Sequence, residues 1–211
     1  MKTDDLIDAL AVGLEPTRPA RPSIVLLAAG GVAALAAVWL LLGVRSDLGD
    51  AMQAPTPWLK GIYTAALAGT AIWLTARLGR PGVDPRPAVF ALASVVAVAL
   101  SWGAIEVIMT PPGDRLADWL GRTWTICGRN ILLISGVAAP FVFLSARRLA
   151  PTRPSLTGSA LGVATGGIAA TVYGLLHCPE ATAAFVATWY TLGVAAAGLI
   201  GAVIGRVALR W

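Results

Sequence analysis

Charge is what this sequence has least of. Only 13% of its 211 residues are Asp, Glu, Lys or Arg, about half the share found in a soluble domain. Histidine occurs once and cysteine twice, with no CxxC pair. That scarcity argues against quinone-coupled thiol oxidoreductases, which need two reactive dithiols. A single histidine without paired carboxylates in one cleft leaves little for hydrolysis, so no enzyme and no cofactor are expected. Long polar connections are missing too, which excludes a sizeable extramembrane domain. A basic leader is absent: Met1-Lys2-Thr3-Asp4-Asp5 is acidic, and Pro16, Pro19 and Pro22 precede the first apolar run. A cleavable signal peptide is therefore not expected, and the first span serves as its own insertion signal.

What is present is hydrophobic length: 57% of the residues are apolar. A spanning helix needs roughly 20 apolar residues. Six runs qualify, near Ile24–Val44, Trp58–Leu78, Ala88–Met109, Trp124–Ala146, Leu156–Leu176 and Thr182–Ala208. The expected fold is all-α: a polytopic membrane protein of about six helices joined by short loops. Residues 1–22 form a cytoplasmic helix with a proline-rich tether, and residues 23–211 form the transmembrane domain. One set of segments holds Lys2, Arg18, Arg21, Arg77, Arg80, Arg86, Arg147, Arg148, Arg153, Arg206 and Arg210. The other set, with Arg45, Lys60, Arg115, Arg122 and Arg129, is diluted by Asp47, Asp50, Asp114, Asp118 and Glu180. The positive-inside rule then puts both termini in the cytoplasm. It also explains the net charge of +5 without nucleic acid, for which no basic-aromatic surface exists; no direct nucleic-acid contact is expected.

The last two spans carry small residues at four-residue spacing. One seam is Gly158, Gly162, Gly166, Ala170, Gly174; the other is Gly193, Ala197, Gly201, Gly205. Such seams let backbones approach closely where lipid supplies no hydrophobic drive. The two spans are expected to pack on each other, with a homodimer seam as the alternative.

Before the first span, Leu6, Ile7, Leu10 and Leu14 recur at helical spacing and line one face. Asp4, Asp5 and Asp8 make the remainder acidic. Three turns of helix are too short to persist alone in water, so something must cover the apolar face. Membrane lipid is one candidate, but interfacial helices favour Lys and Arg on the polar face. An anionic leaflet repels aspartate, and a groove on a soluble protein fits better.

Towards the opposite side of the membrane, the topology brings Cys127 and Cys178 to similar depths. His177 and Glu180 flank the second in His177-Cys178-Pro179-Glu180. A structural disulfide, a reversible sensor and incidental thiols are all open readings. The sensor would work by oxidation or by a soft metal held at Cys127, Cys178 and His177, with Glu180 as a further ligand. Glu106 and Arg129 sit at matching depths, where an ion pair would account for two charges at the edge of the hydrocarbon.

The opening Met1–Leu10 stretch, the six-span layout and the His177-Cys178-Pro179-Glu180 element together resemble the NrsF family, the negative regulators of sigma F. The resemblance implies an anti-sigma factor of the bacterial inner membrane. Its partner would be an extracytoplasmic-function sigma factor, kept from core RNA polymerase. Cys127 and Cys178 would then take part in sensing heavy-metal or oxidative stress. A small transporter or channel is the alternative, but it would want ionisable groups near the bilayer midplane.

Overall fold

The computed structural model describes residues 3–12 and 20–209, so Leu14 lies outside the described residues. Among them every element is helical. Helix α1 is Thr3–Ala11, and α2 is Ile24–Ala37, continued by a π-helical turn at Val38–Leu42. A single turn, α3 (Leu48–Ala51), leads to α4 (Pro55–Leu78) and α5 (Arg86–Met109). Short α6 (Arg115–Leu120) precedes α7 (Trp124–Ser145) and α8 (Pro154–Leu176). The last span is α9 (Ala183–Phe185), a π turn at Val186–Tyr190 and α10 (Thr191–Ala208).

Three of the long helices carry prolines at their starts. Pro55, Pro87 and Pro154 occupy first-turn positions, where the missing N–H would have had no partner and φ is already helical. The π turns, α3 and α6 left no signature in the apolar pattern.

Five stretches are long and apolar enough to cross a membrane: Ile24–Leu42, Arg86–Met109, Arg115–Ser145, Pro154–Leu176 and Ala183–Ala208. Helix α4 matches them in length but carries Lys60, Arg77 and several threonines. Much of that polarity faces protein: Lys60, Thr64 and Thr75 are buried. The helix also lies antiparallel beside α8 for its whole length. Gly61 meets Leu175, Gly167 meets Ala68, and Leu74 shares a cluster with Ala160.

Helix α8 is the hub. Along its glycine seam it packs antiparallel on α10, with Gly158 against Gly201 and Gly205, Gly162 against Ala197 and Gly198, and Gly166 against Val194 and Ala197. A Cβ on Gly162 would collide with the Ala197 carbonyl oxygen, and one on Gly158 with that of Gly201. This stretch of the seam is consumed inside the chain. Gly193 departs from it and faces Ile131 and Gly128 of α7. Helix α2 packs on α7, where Gly30 lies against Val142. Helix α5 flanks the bundle on α4 and the last span.

Large apolar side chains girdle the outside. Trp39, Leu40, Val98, Ile108, Leu199 and Val207 are each more than 60% exposed, far more than a water-soluble monomer tolerates over so wide a surface. In lipid the same side chains cost nothing. At one end Trp119, Trp189 and Trp124 lean together with centroids 5.6 and 5.1 Å apart, in the manner of interfacial anchors.

Candidate functional site

The two cysteines meet. Cys127 sits one turn into α7, its N–H bonded to the Thr123 carbonyl. Helix α8 ends at Leu176, and the N–H groups of His177 and Cys178 both fold back onto the Tyr173 carbonyl. That turn aims Cys178 inward, and its sulfur lies 3.5 Å from that of Cys127. Both are free thiols and fully buried. Cys127 also lies 3.2 Å from Thr123 Oγ1 and 3.2 Å from Tyr173 Oη, to which Asn130 donates. Tyr190, delivered by the π turn of the last span, is completely buried. Its hydroxyl comes beside the Cys178 sulfur but makes no hydrogen bond of good geometry.

Lys60 completes the cluster. Counted from the sequence only among the charges of the outer side, it lies inside α4 and is only 3% exposed. Its Nζ donates to the carbonyls of Cys178 at 3.0 Å and Glu180 at 2.9 Å, and lies 5.9 Å from the centre of the Tyr190 ring. The hydrogen bond with Cys127 and the Lys60 charge pull the Cys178 thiol down to about 6, against its burial. The expected outcome is pH-dependent modification: residue-resolved alkylation of Cys178 should fall off only below about pH 6, where an ordinary thiol of pKa ~8.5 is already silent. Mass spectrometry across pH 5–9 checks this.

His177 and Glu180 do other work. The Gly43 carbonyl lies 2.8 Å from His177 Nδ1; a carbonyl only accepts, so Nδ1 carries the proton. Arg45 N–H donates to the Leu176 carbonyl and its guanidinium reaches towards that of Cys178, while its ion pair holds Asp47 below the usual carboxylate range. The end of the first span is thereby fastened to the thiol-bearing turn. Glu180 accepts from the Arg122 N–H at 2.8 Å and Thr123 Oγ1 at 2.9 Å, which ties the same turn to the start of α7. Among the described residues no three His, Cys, Asp or Glu side chains gather as a metal would require. The expected Cys127–Cys178–His177 ligand set is not gathered in this arrangement, in which His177 Nδ1 is bonded to the Gly43 carbonyl.

The expected Glu106–Arg129 pair is also corrected. Among the described residues the one ion pair is Arg45–Asp47. Glu106 instead accepts the Ala184 N–H at 2.7 Å, capping the start of the last span, and Arg129 is exposed on α7. Equal depth was not enough, since α5 packs on α4 and the last span rather than on α7.

At the other end of the chain, no residue of helix α1 is buried. Leu6, Ile7 and Leu10 are 42, 57 and 67% exposed, and Asp4 and Asp5 fall in the first turn with Asp8 one turn on. Among the described residues, the apolar face that sequence spacing assigned to this helix has no cover.

The profile of the NrsF family, described as "Negative regulator of sigma F", matches residues 10–211. The chain belongs to this family. NrsF proteins are regulatory rather than catalytic. Two relatives align over the full length of both chains. The "Anti-sigma-F factor NrsF" of Caulobacter vibrioides (strain NA1000 / CB15N) is 43% identical over 217 residues. The "Probable anti-sigma-F factor NrsF" of Azospira oryzae (strain ATCC BAA-33 / DSM 13638 / PS) is 36% identical over 214 residues. No solved structure matches the chain.

Proposed function

We propose that this chain is an anti-sigma factor of the bacterial inner membrane. In this reading α1 holds an extracytoplasmic-function sigma factor at the cytoplasmic face and lets it go when the thiol pair on the opposite face is oxidised. The observation that carries the proposal is the uncovered apolar face of α1 in a chain whose relatives are named anti-sigma-F factors. Leu6, Ile7 and Leu10, with Leu14 continuing their spacing, enter an apolar groove on the sigma factor, and Asp4, Asp5 and Asp8 meet its basic rim.

The topology that goes with this reading has six crossings and both termini inside. Alignment of α4 along the whole of α8 supports the sixth crossing, and the arginine asymmetry supports the orientation. A single cysteine placed at Gly82, in a background lacking Cys127 and Cys178, should resist a membrane-impermeant maleimide added to intact cells, whereas one at Gly113 should react; the reverse pattern would invert the topology.

Coupling runs through the first span. Its outer end is bonded to the thiol turn by Gly43 and Arg45, and its inner end leads back to α1. Joining two sulfurs 3.5 Å apart into a bond of ~2.05 Å draws the α8 turn towards α7. The strain passes to the partners of Gly43 and Arg45. A change of ~1.4 kcal/mol in the docked state alters affinity tenfold, so a small shift of the first span suffices. In membranes loaded with sigma factor, diamide should move the sigma factor to the soluble fraction. Cys127→Ser and Cys178→Ser should each retain it, and release from both variants at the rate of the parent would overturn the sensing half of the proposal.

A further inference from the structure

Two thiols in one pair need not be equivalent, and these two are not. Cys127 is ringed by neutral groups: the Thr123 hydroxyl, the Tyr173 phenol and the other thiol. Cys178 has a cation anchored on its own backbone. Lys60 Nζ is held by the carbonyls of Cys178 and Glu180, one on each side of Pro179, and a buried ammonium with no ion pair among the described residues favours whatever negative charge lies beside it. The charged groups around Cys178 are Lys60 from α4 and Arg45 from beyond the first span, with the Glu180 carboxylate turned away onto Arg122 and Thr123. Both nearby charges that face it are positive. The Tyr190 hydroxyl, buried and without a well-formed hydrogen bond, adds a donor that an anionic sulfur could recruit. Exposed Pro179 and Ala181 flank the turn, so Cys178 is one residue from the outer surface.

We propose that Cys178 is the attacking thiol and Cys127 the resolving one, and that Lys60 is the positioning residue that sets this order. The inference rests on the redox reading of the pair given above. With a hydroperoxide as the oxidant, the Cys178 thiolate attacks one peroxide oxygen. An S–O bond forms, the O–O bond breaks, and the departing hydroxide takes up the proton that Cys178 had shed, leaving as water. The Cys127 sulfur then attacks the sulfenic sulfur of Cys178. The S–S bond forms as the S–O bond breaks, and the hydroxyl leaves with the Cys127 proton as a second water. Two thiols and one hydrogen peroxide give one disulfide and two waters. The 3.5 Å between the sulfurs is already within the range of a near-attack arrangement.

Full-length protein in lipid nanodiscs is treated with hydrogen peroxide at pH 7, and sulfenic acid is trapped with dimedone and assigned by mass spectrometry. Cys127→Ser should trap adduct on Cys178 roughly tenfold faster than Cys178→Ser traps it on Cys127. Lys60→Met should slow Cys178 by a similar factor, and Lys60→Arg should restore most of the rate, which a purely structural contact would not do. Equal rates at the two thiols, or faster trapping on Cys127, would overturn the order. That comparison leaves Lys60 intact, so it stands even where Lys60→Met fails to fold. An unchanged rate in folded Lys60→Met would remove Lys60 from its role. Sigma-factor retention measured on peroxide-treated parent protein, with both thiols present, separates the two ideas. Preferential attack at Cys178 without release refutes the sensor reading alone, and release with Cys127 attacked first refutes this inference alone.

Discussion

Replacing Leu6 and Leu10 together with aspartate should weaken sigma-factor binding by at least about 100-fold while leaving the bundle as stable as before. Each leucine that moves from water into a groove contributes ~1.5–3 kcal/mol. Two of them amount to ~3 kcal/mol or more, and every 1.4 kcal/mol is a factor of ten. Aspartate also brings a charge into the apolar groove, which adds to the loss. The bundle is spared because no residue of α1 is buried in it. Neutralising the acidic face (Asp4→Asn, Asp5→Asn, Asp8→Asn) should act differently, slowing association and flattening its salt dependence more than it speeds release. Titration of purified sigma factor against the nanodisc-held protein measures both. An unchanged Kd for the leucine double variant would remove α1 from the contact.

The second large effect belongs to the α8–α10 seam. Gly162→Val should cost more than about 3 kcal/mol, at or beyond the upper end of overpacking penalties. The new side chain meets the Ala197 carbonyl and the Gly198 Cα. These are backbone atoms that cannot rotate aside, so relief requires the helices to part and the contacts at Gly158 and Gly166 to loosen with them. The control is Gly31→Ala on α2, where a Cβ meets nothing within 4 Å. It should be neutral or stabilise by up to ~1 kcal/mol, since alanine is the better helix former. Thermal unfolding in detergent compares the two, and equal stability would mean that α8 and α10 do not pack as described. Because α8 also carries Tyr173, His177 and the turn to Cys178, Gly162→Val should disorder the thiol pair as well.

Much of this was legible from residue spacing. Long apolar runs located the five helices fit to cross a membrane, because lipid imposes its thickness on sequence directly. Four-residue spacing of glycines found the α8–α10 contact, because close backbone approach leaves few residue choices. The meeting of Cys127 with Cys178 followed from their shared depth at the ends of two spans. The same reasoning by depth failed for Glu106 and Arg129, since depth does not say which helices are neighbours.

Other parts of the site had little or no sequence signature. Lys60 works through backbone carbonyls, which every residue possesses, so no partner residue type marked it. The available signal was a lone ammonium lying past the prolines that begin α4, inside the helix rather than before it. Tyr173 and Tyr190 sit in apolar runs that conceal their hydroxyls, and Tyr190 reaches the thiols from a π turn that the helical period does not announce. His177 looked like a metal ligand because of its neighbours in sequence. Its actual partner, the Gly43 carbonyl, is 134 residues away.

The most direct test of the central claim is co-purification from membranes of the tagged full-length chain and of the same chain lacking residues 2–15, with mass spectrometry of what elutes. An extracytoplasmic-function sigma factor should elute with the full-length protein and be lost with the deletion. A sigma factor retained in equal amount by the deleted chain, or absent from both, would contradict that claim.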